Sequence, residues 1–367
     1  MKLAEEDHAK DAASSNSLHR RSADARGGLR ALQGKDHTTH EVAVNEYFEH
    51  WDNTDNRLTR RLAYATITNG YYDLITDLFE HILGMSFHFC RIIPGVPLST
   101  AIAQHEQYLA QRLCLREGQI VLDVGSGVGG PAREIAKFRS VNIVGLNNND
   151  YQIKRAIRYT AAEDLSDKIS FEKGDFMQMR LEAGSFDAAY SIEGTSYAPD
   201  LKAVYTEIFK TLKPGGSFAV YELIMTDSYD NDNVEHRRIR DIIEKGTGLT
   251  NTVKISEAIE AIKAAGFDLE EAEDLACRPN EIPWYYFITG SLSYINSVYD
   301  TRRMVQMALI RQRFVRGLAG VGETWGLFPP GSKQMMDALD HLSETLIEAG
   351  KQGLFTPLFF MLARKPR

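Results

Sequence analysis

The chain has 367 residues, 43% apolar and 25% charged, an ordinary balance for a globular protein and longer than one usual core. Its net charge of -8 leaves no global positive field for phosphate, which argues against nucleic acid as a partner. Cys90, Cys114 and Cys277 are too few and too scattered for a disulfide framework or a metal centre, and read as free thiols of a reducing compartment.

Met1 to His8 lack the apolar core of a secretory signal, and no apolar run approaches the ~20 residues of a spanning helix. An intracellular chain without a transmembrane segment is expected. Residues 1–40, rich in Ala, Ser, Asp, Arg and His, predict a mobile polar arm. Residues 41–115 predict a helical region, dense in aromatics: Tyr47, Phe48, Trp51, Tyr64, Tyr71, Tyr72, Phe79, Phe87 and Phe89. Between 116 and 230, β-branched runs alternate with helical stretches. These runs are Ile120 to Val124, Asn142 to Leu146, Ile169 to Lys173, Phe186 to Ile192 and Ser217 to Glu222, which predicts an α/β fold with a Rossmann-like parallel sheet. Residues 231–367 predict an α+β region. It holds a helix from an N-cap Ser256 towards Gly266, a helical stretch broken at Phe328-Pro-Pro-Gly331, and a strand over Leu358 to Ala363.

Val121-Leu-Asp-Val-Gly125 reads as a buried strand entering a glycine turn. Gly125, Gly127 and Gly130 let the backbone approach a ligand, although G-x-G-x-x-G alone also fits a dinucleotide. Asp123, two residues before the glycines, suits the ammonium of an amino-acid moiety and repels a pyrophosphate. Asn147 stands at the tip of the second strand, where a ribose-diol partner belongs. Asp175 suits an adenine amine, with Phe176 or Met177 against the ring. Together they indicate S-adenosylmethionine; Gly129, Gln152 and Gly174 are assigned to the same cleft.

Several stretches go beyond a cofactor class. Tyr71-Tyr-Asp-Leu-Ile-Thr-Asp77, Ser86-Phe-His-Phe89, Ile102-Ala-Gln-His-Glu-Gln-Tyr-Leu109 and Gly129-Gly-Pro-Ala-Arg-Glu134 are four of them. Gly145-Leu-Asn-Asn-Asn-Asp-Tyr-Gln152, Lys213-Pro-Gly-Gly216, Met225-Thr-Asp227, Pro283-Trp-Tyr-Tyr286 and Leu354-Phe-Thr-Pro357 are the others. From about Tyr71 onward the chain resembles the sterol 24-C-methyltransferases. The resemblance implies a class I methyltransferase sheet, with helical N-terminal and sterol-binding C-terminal additions. It implies methyl transfer from S-adenosylmethionine to C24 of a Δ24 sterol or related triterpenoid in ergosterol-type sterol biosynthesis. An endoplasmic reticulum or lipid-droplet surface, peripheral membrane contact and a homo-oligomer also follow from it as expectations. The chain departs from the family's usual residues at Ser126 (usually Cys) and at Gly194-Thr-Ser-Tyr197 (usually Ala-Thr-Cys-His). It also lacks tryptophans expected around Leu83 and near Leu223. These departures fit a divergent paralogue with another triterpenoid acceptor.

The chemistry so implied is attack by the side-chain alkene on a sulfonium methyl, a hydride shift in the cation, and deprotonation to a methylene. Aromatic faces steady such a cation, and Tyr72 is the expected one; a plain core role is the alternative for the other rings. Glu193, at the tip of the fourth strand, is expected to take the proton or to bind cofactor. His105 with Glu106, and Glu222, are further candidates. Arg302, Arg303, Arg311, Arg313 and Arg316 suggest either a basic helix for an anionic membrane or a solvated face. Two other readings stand beside the methyltransferase: a nicotinamide oxidoreductase, and a non-catalytic lipid-binding homologue.

Overall fold

A computed structural model describes residues 13–19, 31, 33–52, 57–279, 282–290, 300–301, 305–306 and 320–367. The arginines expected on a basic helix, Arg302, Arg303, Arg311, Arg313 and Arg316, lie outside these residues.

Five strands alternate with helices and form the parallel part of one sheet: β1 (Ile120–Val124), β2 (Asn142–Asn147), β3 (Ile169–Lys173), β4 (Phe186–Ile192) and β5 (Leu212–Met225). Strands β6 (Asp268–Asp274) and β7 (Phe355–Arg364) complete the order β3-β2-β1-β4-β5-β7-β6. β7 runs antiparallel to both β5 and β6. The expected C-terminal strand is a central member of the sheet, which is why all but its last residue are buried. Alternate residues of the strands feed two cores. Val121, Ala188 and Tyr190 pack on one face, and Leu122, Val124 and Ala189 on the other.

Ten helices among the described residues flank the sheet. They are α1 (His37–Glu49), α2 (Arg57–Leu62), α3 (Tyr64–Ile82), α4 (Leu98–Arg112), α5 (Gly130–Arg139), α6 (Asp150–Ala162), α7 (Leu201–Thr211), α8 (Val234–Thr247), α9 (Ile255–Ala264) and α10 (Ser332–Lys351). Their starts follow capping chemistry. Asn149 accepts the Gln152 N–H at 2.9 Å and opens α6, and Asp200 accepts the Ala203 N–H at 3.1 Å and opens α7. The expected N-cap at Ser256 is corrected. Helix α9 is capped at Lys254, whose N–H donates to Glu257 at 2.7 Å, while the Ser256 hydroxyl donates to Asp227 at 2.7 Å.

Two further expectations change. Phe87 and Phe89 lie in the non-helical segment between α3 and α4, because Gly84 (φ +95°) and Pro94-Gly-Val-Pro97 cannot continue a helix. The mobile arm is corrected for its described part, whose polar groups meet partners on α3 and α6. Ser15 donates to Asp73 at 2.9 Å, and His19 stacks on Tyr151 at 3.5 Å. The fully buried Lys35 ammonium donates to the Asp73 and Leu74 carbonyls at 2.7 and 2.8 Å and lies 3.4 Å from Asp77. Charge satisfied in this way overrides the polar composition.

Candidate active site

The carboxyl ends of β1, β2 and β4 open towards α3 and the 84–88 loop, where an α/β sheet binds its ligand. A polar cleft there is lined by Gly125, Ser126 and Gly127 after β1, and by Asn147, Asn148, Asn149 and Gln152 after β2. Phe176, Glu193 and Gly194 follow from β3 and β4, and Thr68, Asn69 and Tyr72 from α3. Gly125 is required sterically: it has φ +84°, and a Cβ would lie 2.9 Å from the Gly194 Cα. Asn147 donates to Gln152 at 3.0 Å, and Gln152 donates to Thr76 at 3.2 Å.

Beside this cleft lies an apolar cavity between α3, α4, the 284–289 turn and α10. Phe79, Leu83, Cys90, Ile102, Leu223 and Trp284 are among its walls. The two spaces share Tyr72, Phe87, His88, Glu193 and Tyr197. Their open space is 100 and 170 Å³.

Glu193 is the carboxyl at this junction, and it is buried. Its backbone is left-handed (φ +62°), unusual for a non-glycine residue and fixed by a 2.9 Å hydrogen bond from its N–H to the Tyr221 carbonyl. Its Oε1 accepts the Phe89 N–H at 2.7 Å. Burial pushes the carboxyl up to about 8, with His88 and the Phe89 amide opposing the rise and Glu222 adding to it. His88 lies 3.0 Å from Glu106. Burial works against its charge, but the Glu106 contact outweighs it, so the imidazole titrates above its ordinary value. Tyr72 donates to the Tyr197 hydroxyl at 2.9 Å, and Tyr197 donates to the Thr247 carbonyl at 3.2 Å.

Of the residues assigned to the cofactor from sequence, Gly125, Gly127, Asn147, Gln152 and Phe176 line the cleft. The others take different places. Asp123 sits in β1 between Gly145 and Tyr190; its Oδ2 has no partner among the described residues, and burial pushes the carboxyl up to about 7. Asp175 is engaged locally, accepting the Met177 N–H at 2.8 Å and the Tyr64 hydroxyl, which leaves it a poor free acceptor for an adenine amine. Met177 packs into the core behind the cleft. A Cβ on Gly129 would meet the Phe171 ring at 2.7 Å, one on Gly130 the Met85 carbonyl at 2.1 Å, and one on Gly174 the Leu146 side chain at 2.7 Å. These three glycines make room for the protein itself rather than for a ligand.

Two catalytic candidates are likewise corrected. Glu222 is fully buried outside both spaces and accepts hydroxyls from Thr195 (2.5 Å), Tyr205 (2.7 Å) and Ser196, so its carboxylate braces the turn after β4. His105 is buried against Tyr221 at 3.8 Å, and burial holds it well below its ordinary value, away from both walls. His88, Asn69, Asn149 and Tyr197 were not singled out from the sequence. Asn149 lies within the Asn triplet, and His88 within the Ser86-to-Phe89 stretch.

Two buried carboxyls, Asp123 inside β1 and Glu193 at the junction, predict a pH effect on stability. Asp123 and Glu193 rise from 3.8 to about 7 and from 4.5 to about 8 on folding, so the folded chain holds protons the unfolded chain has lost. Their stabilisation is full below about pH 4 and is lost as pH rises through 7 to 8. The denaturant midpoint of the cofactor-free chain is expected to fall between pH 6 and pH 9, and to fall less in Glu193→Gln. Equal falls in the two proteins contradict the Glu193 assignment.

The empty side of Asp123, the free Ser126 hydroxyl and the glycine cradle suit a ligand with an ammonium group and a nucleoside. Comparison with known proteins agrees. A methyltransferase domain matches residues 122–220, and a sterol methyltransferase C-terminal domain matches residues 303–367. The chain is 52% identical to a sterol 24-C-methyltransferase of Aspergillus fumigatus over 371 aligned residues, covering 99% of this chain and 98% of that one. The chain belongs to the sterol 24-C-methyltransferase family.

A relative with the same name in Saccharomyces cerevisiae is 44% identical over 342 residues, with 92% of this chain and 89% of that one covered. Geranyl diphosphate C-methyltransferase from Streptomyces coelicolor A3(2) shares the fold at a TM-score of 0.57 and 14% identity, covering 82% of this chain and 98% of that one. The protein is therefore an S-adenosylmethionine-dependent methyltransferase, and the nicotinamide and non-catalytic readings are set aside. Among the described residues no cluster of side chains suits a metal ion, and no helix is long and apolar enough to cross a membrane.

Proposed function

We propose that the protein adds a methyl group to C24 of the side-chain alkene of a Δ24 sterol or related triterpenoid. One observation carries this reading: the polar cleft and the apolar cavity meet at Tyr72, Phe87, His88, Glu193 and Tyr197. S-adenosylmethionine, held by the β1 glycines, Asn147 and Gln152, supplies an electrophilic methyl. The apolar walls take the substrate skeleton and exclude water, so that its alkene lies at the junction in line with that methyl. The alkene π pair would form the new carbon–carbon bond at C24 as the methyl's bond to sulfur breaks, leaving neutral S-adenosylhomocysteine and positive charge at C25. Hydride then moves from C24 to C25, and the added methyl loses a proton to leave the 24-methylene product. The Tyr72 and Tyr197 rings face the charge, and Glu193, ionised, takes the proton.

A substrate deuterated at C24 is expected to give a product carrying that deuterium on C25; loss of the label to solvent overturns the hydride step. Tyr72→Phe keeps the ring and is expected to retain most activity, whereas Tyr72→Leu is expected to lower kcat by about 10-fold. Equal rates in the two variants remove the ring from the mechanism.

Leu83 and Leu223, where the family resemblance leads one to expect tryptophan, both line the cavity. Their smaller side chains widen the acceptor space, which supports a bulkier triterpenoid acceptor than the family's usual sterol. A peripheral position on an endoplasmic reticulum or lipid-droplet surface suits so apolar a substrate. The exposure of Val321, Trp325 and Leu327 before α10 supports it.

A further inference from the structure

A second polar cavity, with 600 Å³ of open space, lies where α2, α7, α8 and α9 meet the end of β5. It shares no wall residue with the cofactor cleft or the apolar cavity. Its charged walls are Arg57, Arg61, Lys202, Arg240 and Lys254 against Asp200 and Glu257. Each carboxylate accepts a backbone N–H with one oxygen, Asp200 from Ala203 at 3.1 Å and Glu257 from Lys254 at 2.7 Å, and the five cations outnumber them. Arg57 is 3.0 Å from Glu244, and Arg240 is 3.0 Å from Asp241. That leaves Arg61, Lys202 and Lys254 without a carboxylate partner among the described residues. Arg61 donates to the Pro199 carbonyl at 3.0 Å, and the Lys254 ammonium lies 5.8 Å from the Tyr229 ring.

Two helices, α7 and α9, begin at this cavity, and their N-terminal dipoles add to the positive potential. Thr252, 8% exposed, also lines it, with a hydroxyl that has no partner among the described residues. The protein as a whole carries a net charge of -8, so a concentration of unpaired cations in a concave site is a local feature and not a consequence of composition.

We propose that this cavity is a binding site for a phosphate-bearing anion, separate from the methyl-transfer site. Three cations of independent origin, on α2, at the start of α7 and at the cap of α9, converge as a multiply charged phosphate oxygen set requires. The same chemistry belongs to a soluble phosphate ester and to an anionic lipid headgroup, and the two sources are separable.

The test is calorimetric titration of the full chain with inorganic pyrophosphate, beside sedimentation with vesicles of phosphatidylcholine with and without phosphatidic acid. Wild type is expected to bind pyrophosphate with a Kd below about 1 mM, and Lys202→Ala/Lys254→Ala at least about 10-fold more weakly. S-adenosylhomocysteine affinity should be equal in both proteins, which establishes that the variant is folded; if it is not, Lys202→Gln alone is read in its place. Vesicle binding that depends on phosphatidic acid and is lost in the variant, without pyrophosphate binding, assigns the same site to a headgroup. Absence of binding in both arms, or binding that the variant leaves unchanged, overturns the proposal.

Discussion

Replacing Glu193 by Gln is expected to lower kcat by about 10²–10⁴-fold while S-adenosylhomocysteine affinity stays within about threefold. The substitution keeps the size of the side chain but removes its basicity. It also preserves an oxygen that accepts the Phe89 N–H, now at 2.7 Å from the carboxylate, so the loop before α4 stays in place. The same group predicts the pH profile. With its carboxyl near 8 in the free protein, kcat/KM rises with pH through that value, since only the ionised form takes a proton. The positive charge of bound cofactor favours the carboxylate, so the kcat limb lies at lower pH. Flat profiles from pH 6 to 9, or a Gln variant as fast as wild type, remove Glu193 from the base role. His88, 3.0 Å from Glu106 and lining both spaces, then becomes the group to vary.

Gly125→Ala is expected to weaken S-adenosylmethionine binding at least 30-fold, about 2 kcal/mol. Two costs combine in this substitution. A left-handed backbone at φ +84° costs an L-residue about 1–3 kcal/mol, and the new methyl would stand 2.9 Å from the Gly194 Cα, which is backbone and has nowhere to yield. Because Gly194 follows Glu193, relief of the clash moves the tip of β4 and the base with it. Gly118 supplies the control: its φ is +80°, but nothing lies within 4 Å of an added Cβ, and it stands before β1, away from the cleft. Gly118→Ala therefore pays the backbone strain without the collision, and should lower stability with cofactor affinity unchanged. Equal cofactor losses in both variants refute the close-approach account of Gly125.

Much of this site is legible in the residues, and its limits have physical causes. Asp123 inside the first strand, and the strand ends at Asn147 and Glu193, follow from period and position, because a parallel sheet aims its carboxyl ends at ligand. Glycines are harder to read. Gly129, Gly130 and Gly174 are demanded by the Phe171 ring, the Met85 carbonyl and the Leu146 side chain, all remote in sequence or on another element. Glu222 and His105 show the same limit for titratable groups. Both lie beside the site in sequence order, yet three hydroxyls claim one and the Tyr221 ring claims the other. Asp175 was legible as polar and well placed, but the partner that occupies it, Tyr64, is 111 residues away. The described part of the N-terminal arm was misread because composition does not report that Lys35 will find Asp77 and two carbonyls inside the protein.

The proposed methyl transfer to a side-chain alkene takes place at the junction of cleft and cavity. Incubating the purified chain with radiolabelled S-adenosylmethionine and a panel of Δ24 sterols and triterpenoids tests it most directly. Label in a 24-methylene product, absent with the corresponding saturated side chains, is the predicted result. Saturable cofactor binding with no label in any Δ24 acceptor would contradict it.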